Sequence, residues 1–303
     1  MTKVAPPPPV VNLADIAEIE LFVLKRMREV TLGDHASVFT GAGHNFVGLR
    51  DWIPGDRLSA IDWAQSSLNN FSPLITREFE QPSTATIFAV ADASASTRCG
   101  ISGTTISAAI ARSVAAVGLS AVLFQDMFGM IAFDDQCRQV AAARARIGKP
   151  HVLYCVDLYQ RAATSADHAE NLVASIESHL RKTALIPVIS DFLFPGAEDL
   201  IRELSRLNAA HDVFLVMADA RFAYELPASS AGWVRVLDVE SGATRIVSRR
   251  ELAGLTDRIA AWQERIVRVA RDRDLDIVTV GLDRWEMETT LAEFAAERRL
   301  RKV

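Results

Sequence analysis

Residues 84–96 read Thr-Ala-Thr-Ile-Phe-Ala-Val-Ala-Asp-Ala-Ser-Ala-Ser, an apolar run that ends at an aspartate and two serines. The run from Ile87 to Ala91 is short and rich in branched and aromatic residues, which is typical of a strand buried on both faces. A long apolar stretch, residues 106–124, follows the polar segment and predicts a helix. The order strand, polar loop, helix predicts an open α/β sheet with its functional groups at the carboxyl edge of a central strand.

The polar segment offers only oxygen atoms as ligands. Asp92 supplies a carboxylate, and Ser94 and Ser96 supply hydroxyls. Oxygen ligands suit a hard divalent cation, Mg²⁺ or alternatively Mn²⁺ or Ca²⁺. One carboxylate and two neutral hydroxyls leave the charge of such an ion partly unbalanced, so the ion can accept a carboxylate from another protein. The alternative is that the serines cap the next helix. The pattern resembles the metal-ion-dependent adhesion site of von Willebrand factor A domains.

The composition narrows the class of protein. The chain has 303 residues, half of them hydrophobic, which is enough for one large α/β domain with an accessory unit. Its net charge of −5 argues against a nucleic-acid partner. Three cysteines, an odd number without Cys-x-x-Cys spacing, predict reduced thiols in a cytoplasmic protein. The first residues lack the apolar segment of a signal peptide.

The stretch at residues 106–124 is nearly long enough to cross a membrane. It contains Arg112, whose charge is costly in lipid, and it lies between a polar loop and another predicted strand. We therefore expect a buried helix and no transmembrane segment.

The chain divides into two predicted parts. An amphipathic helix begins near Leu13, after a run of four prolines. Residues 37–80 contain clustered glycines, aromatic residues and a Pro-Gly-Asp turn, which predict a small β-rich unit. We assign residues 1–82 to the N-terminal helix and this unit, and residues 83–303 to the α/β domain, with a β-hairpin insert near 228–248.

Several residues outside the polar segment carry their own predictions. Arg50, Asp56 and Asp62 are expected to pair with one another or with turn backbone rather than to form a functional surface. The tryptophans at positions 52 and 63 are expected in the core rather than at an interface. A later strand ends at Asp191 and contains Pro187, which argues against full pairing on both sides of that strand.

Two sets of motifs are similar to known families. Aspartates and serines at predicted strand ends give the main domain its likeness to von Willebrand factor A domains. A second set of motifs comprises Asn-Phe-Val-Gly-Leu-Arg-Asp-Trp-Ile-Pro-Gly-Asp at 45–56, Ile-Asp-Trp at 61–63 and Arg-Glu-Phe-Glu at 77–80, before the main domain, and Ile-Ser-Asp-Phe at 189–192 within it. These motifs resemble those of a bacterial family, domain of unknown function 58, that is often encoded beside MoxR-type AAA ATPases and includes methanol dehydrogenase accessory proteins.

The resemblance implies a fold and a function. The implied fold is a Rossmann-like von Willebrand factor A domain, with a mostly parallel central sheet flanked by helices, and a small N-terminal helix plus β-rich unit. The implied function is that of a non-catalytic, chaperone-like adaptor for protein–protein interaction. It acts with a MoxR-type AAA ATPase in the maturation or remodelling of a client protein complex.

The resemblance also implies a metal site. Its ligands are the oxygens of Asp92, Ser94, Ser96, Thr164 and Asp191. The loop threonine has Ser165 as its alternative, and Asp191 has the capping of a helix as its alternative role.

Two other functions use the same residues. A metal-dependent hydrolase or phosphatase would use Asp92 as a nucleophile, but Ala93 and Ser94 offer no second acid shortly after it. The chain also lacks a phosphate-binding Gly-x-x-x-x-Gly-Lys loop and a Gly-x-Ser-x-Gly elbow. A structural subunit would keep the fold and leave a degenerate metal site empty.

Overall fold

The computed structural model describes residues 11–32, 45–54, 56, 58–80, 84–101, 104–162, 171–224, 233–237 and 244–281, with positions 290, 291, 294 and 298. The chain forms two compact units, Met1–Met27 with Thr84–Val303 and Arg28–Ser83. In chain order the helices are α1 (Leu13–Leu32), α2 (Trp63–Leu68), α3 (Ile106–Leu123), α4 (Lys149–Ala162), α5 (Leu172–His179), α6 (Ala197–Leu207) and α7 (Arg249–Arg271). The strands are β1 (Asn45–Asp51), β2 (Ile75–Glu80), β3 (Thr86–Asp92), β4 (Gly100–Ile101), β5 (Thr104–Thr105), β6 (Met127–Phe133), β7 (Gln139–Arg146), β8 (Leu185–Ser190), β9 (Asp212–Ala218), β10 (Trp233–Leu237), β11 (Thr244–Ser248) and β12 (Asp276–Val280).

The larger unit is built on a six-stranded sheet of order β12-β9-β8-β3-β6-β7. Adjacent strands of this sheet pair in parallel except at one edge, where β7 runs antiparallel to β6. Strand β3, which begins within residues 84–96, is therefore an inner strand, and every β3 residue after Thr86 is buried. The predicted α/β fold, a mostly parallel sheet with flanking helices and a small two-stranded sheet before it, is confirmed.

Alternate residues of β3 face two different helical layers. Ile87 and Ala89 belong to the core shared with α1, α3 and α4, whereas Phe88 and Val90 belong to the core shared with α5, α6 and α7. This follows from the two-residue period of a strand. Each fully buried Val, Ile or Phe contributes about 1.5–3 kcal/mol to folding, so the stretch stabilises both layers.

Helix α3 is the centre of the first layer. By length and composition it is the one helix among the described residues that could cross a membrane, but 83% of it is buried in the protein. The prediction of a buried core helix is confirmed. Its charged residue, Arg112, is buried, and its guanidinium lies 3.3 Å from Asp15 and 3.6 Å from Glu18 on α1.

The predicted division places helix α1 with the β-rich unit, and in the structure the described apolar face of α1 packs within the larger unit. Ile16, Ile19 and Val23 are buried in the same core as α3. A second ion pair, 2.5 Å between Lys149 Nζ and Glu20 Oε2, joins α1 to α4. Apolar burial and charge pairing thus act together on this helix.

Pro187 lies in β8, between β3 and β9. The pairing with β9 is continuous and includes Pro187 opposite Phe214. The pairing with β3 includes Leu185, Val188 and Ile189 but neither Ile186 nor Pro187. Proline has no amide hydrogen to donate, so the strand is central yet incompletely paired on one side, as its sequence predicts.

The smaller unit contains the antiparallel pair β1–β2 and the short helix α2. The Arg50 guanidinium donates to both carboxylate oxygens of Asp56, at 2.7 and 2.8 Å, and this contact lowers the Asp56 pKa to about 2. Asp62 caps α2 by accepting the amides of Ala64 and Gln65. The structural role predicted for these three charged residues is confirmed.

The core position predicted for Trp63 is wrong, because its side chain is 58% exposed. The buried positions here are Asp62, the N-cap residue of α2, and Ser66, one helical turn later. Trp63 follows Asp62 by one residue and is therefore turned about 100° away from the buried side. Trp52 is half-buried.

Candidate metal centre

Asp92 and Asp191 follow neighbouring parallel strands. Asp92 is the last residue of β3 and Asp191 follows the last residue of β8. Parallel strands end at the same edge of a sheet, which is where open α/β folds bind their ligands. Both aspartates are fully buried. The fold therefore brings together two carboxyl groups that are far apart in the sequence.

The carboxylate of Asp92 is held by two donors. Its Oδ1 accepts the Ser94 amide at 2.8 Å, and its Oδ2 accepts the Ser190 hydroxyl at 2.5 Å. The main-chain oxygen of Asp92 accepts the hydroxyl of Tyr159, on α4, at 2.8 Å. Because these contacts come from three separate segments, both the strand end and its side chain are fixed before any ligand arrives.

The two serines present their hydroxyls to each other. Ser94 Oγ and Ser96 Oγ lie 3.0 Å apart, and Thr97 donates to the main-chain oxygen of Ser94 at 2.7 Å. The Ser94 side chain makes no capping bond to the short turn that follows it. Thr105 provides the cap of α3 instead, accepting the Ala108 amide. The Ser94 side chain therefore does not cap a helix.

Asp191 has one satisfied and one unsatisfied oxygen. Its Oδ1 accepts the Leu193 amide at 3.0 Å. Its Oδ2 is buried and has no hydrogen-bond partner among the described residues. A buried carboxyl oxygen without a donor costs free energy, and a bound cation is one way to remove that cost.

The electrostatics of the pair favour a positive ligand. Burial raises the pKa of Asp191 to about 7, and the neighbouring charge of Asp92 adds to the shift. Burial likewise raises the pKa of Asp92, while the Ser190 and Ser94 hydrogen bonds oppose the shift and the charge of Asp135 adds to it. Two carboxyl groups in one low-dielectric site cannot both ionise cheaply without a cation.

Two other acidic residues at this edge are paired with arginines, and Asp135 is exposed to solvent. Asp134 follows β6 and pairs with Arg138 at 2.8 Å, and Asp219 follows β9 and pairs with Arg221 at 2.5 Å. In the described part of the chain, no basic side chain forms such a pair with Asp92 or Asp191. Asp92 and Asp191 are thus buried carboxyls without a counter-charge from a described basic side chain.

The residues present fit a hard divalent cation. All the candidate side chains supply oxygen, the donor type that Mg²⁺, Mn²⁺ and Ca²⁺ take. Among the described residues, no group of three or more His, Cys, Asp and Glu side chains is placed to hold an ion. An ion bound here would thus use hydroxyls beside two carboxylates. Thr164 and its alternative Ser165 lie outside the described residues, and their participation stays a prediction.

Three residues were missed in the sequence reasoning. Ser190 and Tyr159 bond Asp92, and Gln263 of α7 donates to the main-chain oxygens of Asp191 and Ala218, at 3.2 and 2.9 Å. Ser190 alone had a signal, because it is the one hydroxyl in the otherwise apolar β8. Tyr159 and Gln263 lie on helices, where nothing in their spacing shows that they reach a strand end.

A groove of about 800 Å³ lies elsewhere, between the start of α1 and α4. Val11, Leu13, Leu153 and Tyr154 are among its lining residues. It contains none of the candidate ligands, so it is separate from the metal centre.

Comparisons with known proteins give a family match. The sequence model of the family described as "Protein of unknown function DUF58" matches residues 48–265. A search of curated proteins found no match. Among solved structures, the conserved hypothetical protein BatB from Bacteroides thetaiotaomicron is 12% identical, with a TM-score of 0.42, and the match covers 71% of this chain and 100% of that chain. An aerotolerance-related membrane protein from Bacteroides fragilis is 11% identical, with a TM-score of 0.41, over 71% of this chain and 99% of that chain. At these TM-scores neither likeness carries a functional argument.

Proposed function

The chain belongs to the DUF58 family of proteins of unknown function, and on that premise we propose that it is a non-catalytic adaptor that binds another protein through a divalent cation. The partner that we propose is a MoxR-type AAA ATPase in the cytoplasm, with which the adaptor acts in the maturation or remodelling of a client protein complex. The proposed ligands of the cation are Asp92, Ser94, Ser96, Asp191 and, from outside the described residues, Thr164.

One observation carries the proposal. Asp191 Oδ2 is buried without a donor, beside the buried carboxyl of Asp92 and at the edge where the Ser94 and Ser96 hydroxyls stand. When bound, a cation such as Mg²⁺ supplies positive charge and a coordination position for a carboxylate of the partner. The protein's part is to hold its own oxygens in place, and Ser190 and Tyr159 do this for Asp92.

The setting of Asp92 supports an adaptor over a phosphatase. A phosphoryl-accepting aspartate needs an ionised oxygen that the substrate can reach. Asp92 is fully buried, both of its carboxylate oxygens accept hydrogen bonds, and its pKa is raised by burial. Burial keeps a substrate from the carboxylate, the hydrogen bonds occupy both oxygens, and the raised pKa lowers the fraction of the carboxyl that is ionised.

The experiment measures metal binding first and partner binding second. Titration calorimetry with MgCl₂ and MnCl₂ compares the wild type with Asp92→Ala and Asp191→Asn. The matched control is Asp219→Asn, at the end of the neighbouring strand, because its carboxylate is already paired with Arg221. We expect the first two variants to lose at least tenfold in metal affinity and the control to keep it.

Partner binding uses a purified MoxR-type AAA ATPase from the same genome, with Mg²⁺ or EDTA. We expect EDTA and Asp92→Ala to weaken the complex by at least tenfold. Partner affinity that is unaffected by EDTA and by Asp92→Ala would favour a structural subunit with an empty site. Hydrolysis of p-nitrophenyl phosphate that is lost in Asp92→Ala would favour the phosphatase.

A further inference from the structure

A proline-rich segment precedes the groove between the start of α1 and α4. Residues 1–10 read Met-Thr-Lys-Val-Ala-Pro-Pro-Pro-Pro-Val and lie outside the described residues. The first described residue, Val11, lines the groove, whose volume is about 800 Å³. This volume is within the range of sites that bind ligands. An open groove and an apolar segment are thus adjacent in the chain.

Two sets of hydrogen bonds fix the point at which the segment joins the fold. Val11 is buried, and its amide donates to Gln160 Oε1 on α4 at 3.0 Å. The Asn12 side chain caps α1 by accepting the amides of Ala14 and Asp15, at 2.8 and 3.0 Å. The chain also bends at Val11. The end of the proline-rich segment is therefore held at the Gln160 end of the groove.

The length of the groove matches the reach of the prolines. Helix α1 runs antiparallel to α4, because Val11 contacts Gln160 near the end of α4 and Glu20 pairs with Lys149 at its start. The groove follows α4 from Gln160 back to Pro150, a distance of about 15 Å along a helix. Consecutive prolines favour the polyproline II conformation, in which five residues span about 16 Å. A segment that folds back at Val11 can thus cover the whole groove.

The α4 side of the groove has the chemistry of a proline-binding surface. Pro150, Leu153 and Tyr154 lie on it, and Tyr154 is 52% exposed. The Tyr154 ring stacks on His151, with the ring centroids 5.9 Å apart. In the described part of the chain, the Tyr154 hydroxyl has no hydrogen-bond partner. Aromatic-lined grooves bind polyproline II segments, whose carbonyls are free to accept hydrogen bonds, so this hydroxyl can donate to one of them.

We propose that residues 6–10 bind in this groove of their own chain, with proline rings against Leu153 and Tyr154. A segment joined directly to its site is present at an effective concentration in the millimolar range. A second copy of the chain must reach that concentration to compete, so the chain's own segment is the favoured occupant. The contact ties the segment to α4, the helix that also carries Tyr159, the donor to the Asp92 main-chain oxygen. The inference does not rest on the proposed function.

The test uses the full chain and a fluorescently labelled peptide with the sequence of residues 1–10. In one variant, called the serine variant, all four prolines at positions 6–9 are replaced by serine, so that the groove loses its own occupant. Tyr154→Ser and Tyr154→Phe are then added to this variant. The control is Leu21→Ser in the same background, because Leu21 is 70% exposed on α1 and does not line the groove. Circular dichroism verifies that each variant is folded.

We expect the peptide to bind the serine variant at least fivefold more tightly than the wild type, because the attached segment competes in the wild type. Tyr154→Ser should weaken peptide binding at least fivefold, whereas Tyr154→Phe should keep most of it and Leu21→Ser all of it. A peptide with serines in place of the prolines should bind at least fivefold more weakly. Equal affinity of wild type and serine variant, or no binding at about 1 mM protein, would overturn the inference.

Two measurements without the peptide test whether the contact is made within one chain. Tyr154→Ser should lower the urea midpoint of the wild type and leave that of the serine variant unchanged, because residues in contact act non-additively. An equal decrease in both backgrounds would contradict the proposed contact. Sedimentation should give a wild type and a serine variant of the same mass. A wild-type dimer that the serine substitutions dissociate would place the segment on a second copy and overturn the inference.

Discussion

Ser190 makes the closest contact to Asp92 and also links the two strand ends of the candidate site. Its hydroxyl donates to Asp92 Oδ2 at 2.5 Å and accepts the Phe192 amide at 2.8 Å. We predict that Ser190→Ala weakens Mg²⁺ binding by about 10–100-fold, because partners that orient a ligand have effects of this size. It also lowers the free energy of unfolding by about 1–3 kcal/mol, because a buried acceptor and a buried donor lose their partner. Calorimetry and urea unfolding measure the two effects.

Two controls show whether the loss belongs to the site. Ser120→Ala removes another buried hydroxyl, which bonds only within α3, and we expect it to leave Mg²⁺ binding unchanged. Ser190→Thr keeps the hydroxyl and is expected to restore most of the affinity. Wild-type metal affinity in Ser190→Ala would show that Ser190 has no positioning role.

Asp191 gives a pH prediction for the protein without metal. Its pKa is raised from 3.8 to about 7 in the folded state. Between these values the folded protein holds a proton that the unfolded chain has released, so stability falls as pH rises through this window. In EDTA we expect the free energy of unfolding to drop by on the order of a few kcal/mol between pH 5 and pH 7.5, as measured by urea titration.

The variant Asp191→Asn removes this titration and should flatten the pH dependence, except for the part that belongs to Asp92, whose pKa is also raised. The control Asp219→Asn should keep the wild-type slope, because the Asp219 pKa is lowered and not raised. Stability that rises between pH 5 and pH 7.5 in EDTA would contradict the burial of an unneutralised pair.

At the scale of the elements, α1 depends on a buried charge. Arg112 points from the core helix α3 to Asp15 and Glu18 of α1. We predict that Arg112→Met, which keeps an apolar stem, destabilises the protein by about 1–3 kcal/mol. The remaining carboxylates are only partly buried, so the cost is lower than for a fully buried broken pair. Hydrogen exchange should increase in α1 and remain unchanged in β3.

The comparison variant is Arg161→Met, which removes an exposed ion pair with Asp157 on α4. Exposed pairs contribute about 0–1 kcal/mol, so this change should be small. Equal destabilisation by the two substitutions would show that the Arg112 ion pairs contribute no more to the attachment of α1 than an exposed pair does.

At this scale, helices and strands can be predicted where apolar residues recur with a clear period. The apolar run of β3 and the long apolar α3 have patterns typical of a buried strand and a core helix, and both predictions are confirmed. The interruption of the β3–β8 pairing at Pro187 also follows from its sequence, because proline has no amide hydrogen to donate. Periodicity could not predict the exposure of Trp63, because α2 has only six residues. The side of α2 that faces the protein is the one with the polar residues Asp62 and Ser66.

The same limit applies to the candidate site. Asp92, Ser94 and Ser96 are adjacent in sequence, so their grouping is local and can be predicted. Ser190 and Gln263 reach the site only because β8 and α7 are placed beside β3 and β9 by the whole fold. Long-range contacts of this kind have no periodic signature, and the sequence could supply residue types but not partners.

At the scale of the whole molecule, the candidate centre joins strands that are distant in sequence. Asp92 and Asp191 are 99 positions apart in the chain and meet only when β3 and β8 are paired. An ion bound by both therefore recognises the folded state and not the unfolded chain. Ligands that bind only the folded state stabilise it by mass action, by about 2.7 kcal/mol when their concentration is 100 times the Kd.

We therefore predict that saturating Mg²⁺ raises the Tm by several degrees relative to EDTA, as expected for this gain in a protein of this size. Tryptophan emission can follow the transition at the site, because the Trp262 indole donates to the Phe192 main-chain oxygen, next to Asp191.

The Asp92→Ala variant should show no Mg²⁺-dependent rise, and Asp219→Asn should show the full rise. A shift of equal size in wild type and Asp92→Ala would mean that the ion acts elsewhere on the protein. No shift at any Mg²⁺ or Mn²⁺ concentration would mean that the two buried carboxyls do not bind a divalent cation.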